Sequence, residues 1–146
     1  MPFRFRLDAV LRFWESVELT EEAALHRIVR EIAEAQLQLQ QVDGKQAQLR
    51  EQRERDLARK LPAVYLLEIA EREQELTQVA DRLREQLQRL DSQRVKQLVV
   101  YQSAHQDRRV LSELREQQQR SYGLDQRRQE QKMLDEMFLA RWKDGN

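Results

Sequence analysis

The sequence predicts an all-α protein: two long amphipathic helices folded back into an antiparallel coiled-coil hairpin. Three observations predict it. Turn-forming residues are scarce, helix formers dominate, and apolar residues recur every 3.5 positions on average. With 3 Gly and 2 Pro in 146 residues, the chain can reverse direction very few times. Ala, Glu, Gln, Arg, Lys and Leu fill most of the rest, a composition typical of long helices and coiled coils. Aromatics are 6% and charged residues 36%, enough apolar material for a narrow seam but not for a multilayer core. Disorder competes with helix at this hydropathy. It usually accompanies charge imbalance, whereas 26 basic and 26 acidic residues cancel here, and the sustained periodicity decides for helix.

The first helix is expected over about residues 5–59. Alternating steps of four and three from Leu7 pass through Leu11, Trp14, Glu18, Glu21, Leu25, Ile28, Ile32, Ala35, Leu39, Val42, Gln46 and Leu49. All but Glu18, Glu21 and Gln46 are apolar, which is the heptad repeat that keeps one seam against a partner helix. The phase slackens at Glu18 and Glu21, where Val17 and Ala24 offer a shifted stripe. Gly44 is a soft point costing about 1 kcal/mol relative to Ala, tolerated inside the helix. The reversal falls near 60–73, because Pro62 removes a backbone donor and disfavours helix at Leu61. Pro also suits the first turn of a new helix.

The second helix is expected over about 74–142. Its pattern runs Leu76, Ala80, Leu83, Leu87, Leu90, then loses phase and resumes with a shift through Val95, Leu98, Tyr101 and His105. Such a stutter unwinds a supercoil locally. Gly123 is a second soft point, and Met133, Leu134, Met137 and Phe138 carry an apolar stripe onward. At 1.5 Å per residue the helices differ in length, on the order of 80 and 115 Å. Either the C-terminal end overhangs or residues 63–73 form a short helix capping the tip, the reading preferred here. A parallel homodimer is the structural alternative to the hairpin, and a single domain over 1–146 is expected.

The chemical inventory contains no catalytic constellation. His26 and His105 lie on different helices without a ligand partner at i+3 or i+4, apart from Glu22 before His26. His26 is expected on the surface. Asp135 and Glu136 point apart on one helix, in the manner of a solvated face. No glycine loop exists to cradle phosphate, and with no Cys there are no disulfides or thiolate sites. No enzyme activity, cofactor or metal is expected. Zero net charge argues against a general nucleic-acid binder. No apolar run spans a bilayer, and the opening residues lack a secretory segment, so a cytoplasmic protein is expected.

Three stretches exceed what a two-helix seam requires. Phe3, Phe5, Phe13 and Trp14 crowd the opening dozen residues among Arg4, Arg6 and Arg12. They suit a staple on the C-terminal end of the partner helix, a docking surface rich in hot-spot residues, or a membrane-surface segment interrupted by Asp8. The stretch from Arg127 to Arg141 lies beside them in an antiparallel hairpin. At the tip, Leu61, Val64, Tyr65, Leu66, Leu67 and Ile69 gather more apolar surface than the seam needs.

Together these residues resemble the flagellar FliJ family, a small component of the flagellar type III export apparatus. The resemblance rests on Phe3-Arg4-Phe5-Arg6-Leu7 with Val10-Leu11, on Glu21-Glu22-Ala23-Ala24, and on Glu130-Gln131-Lys132-Met133-Leu134-Asp135-Glu136. It implies an antiparallel coiled coil similar to the central stalk of rotary ATPases. Such a stalk inserts one end into the ring of the flagellar export ATPase, contacts the export gate membrane protein, and assists export chaperones, without catalysis. It would sit in the cytoplasm, peripheral to the cytoplasmic face of the cell membrane. Carried onto this chain, Arg4, Arg6, Lys132, Asp135, Glu136 and Arg141 belong to the ATPase-facing end. By the same analogy the tip, with Tyr65, Leu66 and Ile69, faces the gate. The alternatives are the stalk of a virulence secretion system or rotary ATPase, or a dimeric coiled-coil scaffold.

Overall fold

A computed structural model describes residues 2–144. The architecture is an all-α helical hairpin of two helices, α1 over Asp8–Ala58 and α2 over Ala63–Asp144. α1 starts at Asp8, three residues beyond the expected start. The Asp8 N–H donates to the Phe5 carbonyl at 3.1 Å, and the Asp8 carboxylate, placed favourably in the first turn, pairs with Arg12 at 2.9 Å. Gly44 and Gly123 both lie inside continuous helix, neither with positive φ.

α1 ends in a Schellman-type cap. The Leu61 N–H donates to the Asp56 carbonyl and the Lys60 N–H to the Leu57 carbonyl, each at 3.2 Å. Lys60 takes the left-handed conformation this cap demands, with φ of 56°, although it is not glycine. Pro62 follows, and α2 begins at once with Ala63. The reversal therefore occupies residues 59–62, and the separate tip helix expected over 63–73 is replaced by the first turns of α2. Proline at the threshold of a helix sacrifices no intrahelical bond, so a single break suffices.

Two compact units divide the chain. The first consists of Glu21–Tyr101 and contains the reversal. Its helices run antiparallel: Glu21 meets Gln97, Gln46 meets Thr77, and Arg53 meets Glu73. Val42, Ala80 and Leu83 form its core, with Leu39 and Leu76 packed against them. Ala80, 1% exposed, lets the backbones approach where a larger side chain would hold them apart. The second unit combines the chain through Thr20 with residues from Gln102 onward. There Phe5, Leu11 and Ala104 are buried, and the Phe3 ring packs on Tyr122 with centroids 5.6 Å apart.

The heptad stripe on α1 holds from Leu11 to Leu49, with every position buried or partly buried. Glu18 and Glu21 keep their places in the seam, and Val17 and Ala24 of the shifted stripe are partly buried beside them. On α2 the same step passes through Leu87, Leu90, Arg94, Gln97, Tyr101, Ala104, Arg108 and Leu111, all buried or partly buried. The shifted positions Leu98, Tyr101 and His105 are partly buried beside it, and of that stripe Val95 alone faces outward, at 49% exposure. Polar side chains sustain the phase where apolar ones lapse.

Candidate functional site

Where the seam turns polar, its members bond to one another. In the second unit the Glu18 carboxylate accepts from Arg108 Nε and lies 2.9 Å from His105 Nδ1. Arg108 Nη1 reaches Ser112 at 3.3 Å. The Arg108 guanidinium holds the Glu18 carboxyl below its ordinary value, with His105 acting in the same sense against partial burial. His105 is therefore a partly buried seam residue, in keeping with its place in the α2 pattern, while His26 is exposed. The clue was available: Glu18 stands on the heptad count, and a seam carboxylate demands a donor opposite it. In the first unit Gln97 Nε2 donates to the Glu21 carbonyl at 3.1 Å and also to its carboxylate.

The residues assigned to the ATPase-facing end all lie in the second unit, in three places. Arg4 and Arg6 are exposed on the segment before α1, flanking buried Phe5. Phe3 on Tyr122 anchors that segment and Phe5 is buried, so the aromatic staple sits well before its expected place at the C-terminal end of α2, while Phe13 remains exposed and packs edge-on to Trp14. Lys132, Asp135 and Glu136 lie ten or more residues beyond Tyr122, about 15 Å or more along α2. Arg141 is farther still. The stapled segment does not reach the Arg127–Arg141 stretch expected beside it, because α2 continues past its pairing with α1. From Arg127 to Asp144 every residue is exposed.

This free end has two faces. The helical step places Lys132, Glu136, Leu139 and Lys143 on one side, with Asp135 at its edge. Leu134, Met137, Phe138 and Arg141 share the other, where with Asp135 they line a shallow groove. Met133, Leu134, Met137, Phe138, Leu139 and Trp142 are 55–69% exposed, apolar side chains spread around the helix with Leu134, Met137 and Phe138 together on the groove side. Arg141 thus belongs with the apolar side chains, opposite Lys132 and Glu136. Asp135 accepts from Gln131 Nε2 at 3.2 Å.

At the reversal the three tip residues separate. Tyr65 is exposed, Leu66 is partly buried, and Ile69 is buried in the seam at 4% exposure. Ile69 consequently offers no surface, and Leu57, Leu61, Val64 and Leu67 join Tyr65 as the exposed apolar side chains there. Among the described residues no cluster of His, Asp and Glu is arranged to hold a metal, and no helix is long and apolar enough to cross a membrane. The arrangement supplies docking surfaces at the free end of α2 and at the reversal. A family model described as "Flagellar FliJ protein" matches residues 3–146 of the chain. No curated protein and no solved structure matches it.

Proposed function

The chain belongs to the flagellar FliJ family, a non-enzymatic component of flagellar protein export, and on that premise we propose that it is a mechanical stalk engaging the export ATPase through the free end of α2. The observation that carries this reading is the segment from Arg127 to Asp144, exposed throughout and rich in large apolar side chains. A helix that leaves two Met, two Leu, Phe and Trp in water gains by inserting into a partner's apolar channel, since such side chains dominate interface energetics. Lys132, Asp135, Glu136 and Arg141 would then set orientation. Arg4 and Arg6, displaced along the helix, would meet the outer part of the same partner. The opposite tip, through Tyr65 and its exposed neighbours, would face the export gate at the cytoplasmic side of the membrane. Leu66 and Ile69 would support that surface from the seam. Chaperone handling would use the helix faces between the ends.

Binding of the full chain to the purified export ATPase tests the proposal. Changing Lys132, Asp135 and Glu136 together to Ala should weaken binding. Changing Leu134 and Phe138 to Ala should weaken it more, by about tenfold or greater per hot-spot side chain. If neither set alters binding, the free end of α2 is not the ATPase-facing surface. Light scattering on the same samples should report a monomer, and a stable dimer without ATPase contact would favour the scaffold alternative.

A further inference from the structure

The reversal carries a surface that the stalk role leaves unexplained. From Leu57 to Leu67 the chain reads Leu-Ala-Arg-Lys-Leu-Pro-Ala-Val-Tyr-Leu-Leu, with two cations and no acid. Leu57, Leu61, Val64, Tyr65 and Leu67 are 36–64% exposed, at a turn where polar side chains would normally stand. Arg59 and Lys60 are exposed and take part in no ion pair among the described residues. Lys60 moreover holds a left-handed φ that favours glycine or asparagine, so a charged side chain is retained against backbone preference.

We propose that this reversal docks on an anionic lipid surface, with Leu57, Leu61, Val64, Tyr65 and Leu67 entering the headgroup boundary and Arg59 and Lys60 meeting lipid phosphates. Charge complementarity identifies the occupant. An acid-free basic stretch is attracted to a negative leaflet, while the nearest acids, Asp56 and Glu68, lie beyond its edges. Lipid accepts protruding apolar side chains without shape complementarity, and long cationic side chains can keep their charge at the headgroups while their stems are buried. Tyr suits this boundary because its ring is apolar and its hydroxyl is wet. The inference deepens the assignment of this tip to the membrane gate, and rests on it for location alone.

The test is co-sedimentation of the full chain with vesicles of phosphatidylglycerol and phosphatidylcholine, against vesicles of phosphatidylcholine alone, beside binding to the gate's purified cytoplasmic domain. The chain should prefer anionic vesicles. Arg59→Gln with Lys60→Gln should lower that affinity about 25-fold, roughly fivefold per cation. Val64→Ser with Leu67→Ser should also lower it, with circular dichroism verifying retained helix. Arg82→Gln with Arg89→Gln, which removes two exposed cations elsewhere on α2, should change it less than about twofold. No preference for anionic vesicles, or an equal loss in the Arg82 and Arg89 variant, overturns the inference. Gate binding that depends on the tip in a chain that ignores vesicles assigns the surface to a protein and leaves the gate reading standing. Vesicle binding lost in the tip variants while gate binding persists upholds the lipid reading and removes the gate assignment.

Discussion

Glu18 stands where the heptad calls for an apolar side chain, and its carboxylate is satisfied by Arg108 and His105 from the facing helix. Removing one member of such a node leaves the others partly buried and underbonded, so Glu18→Gln should destabilise the fold by about 1.5–3 kcal/mol at neutral pH. The folded carboxyl lies below its ordinary value of 4.5, chiefly through Arg108. Its contribution is therefore full above about pH 4.5 and is lost as pH falls through the lowered folded value. Thermal unfolding of both proteins across pH 7 to 3 should show curves that converge on the acid side, and a constant gap would reject the node as the cause. Lys60 is the second residue where local physics makes a firm statement. A non-glycine residue in the left-handed region costs about 1–2 kcal/mol, and Lys60→Gly keeps both cap hydrogen bonds. That substitution should raise stability by about 1 kcal/mol in urea unfolding, with an unchanged m-value.

At the scale of the helix, Gly44 bears on the same arithmetic with the opposite residue. It lies within α1, and a Cβ built there meets nothing within 4 Å. Gly44→Ala should therefore stabilise by about 1 kcal/mol, read as a higher urea midpoint. The seam explains what was and was not legible in the chain. Apolar spacing located α1 from Leu11 to Leu49 and the reversal at Pro62, because those signals act locally. It missed polar members of the seam in the middle of α2, where Arg94, Gln97 and Arg108 hold positions that a search for apolar residues rejects. The partners of Gln97 and Arg108, Glu21 and Glu18, lie on the other helix, so only a matched reading of both stripes recovers those two positions. The expected tip helix would absorb the difference in helix length, which the exposed end of α2 takes up instead, and Val64, Tyr65 and Leu67 are surface residues of the first turns of α2.

For the molecule as a whole, the division of labour follows from which parts of α2 have a partner. Ending the chain after Gln126 removes a segment exposed throughout, so the unfolding midpoint of the remainder should move by no more than about 2 °C while helical content falls. Circular dichroism measures both, and a collapse of the midpoint would show that the free end stabilises the hairpin. The family could be reached from the two ends of the sequence, because Phe3 to Leu7 and Glu130 to Glu136 are compositionally unlike the middle. The grouping of the candidate residues could not. Arg141 and Lys132 separate to opposite faces only through the helical step, and Arg4 and Arg6 are held back by the docking of Phe3 on Tyr122. The four-residue reversal has a consequence in time as well as in space. Arg53 and Glu73 are 20 residues apart in sequence, Glu21 and Gln97 are 76, and Glu18 and His105 are 87. Each inner pairing shortens the loop that the next must close, so the chain is expected to zip outward from its cap and to reach Phe3 and Tyr122 last.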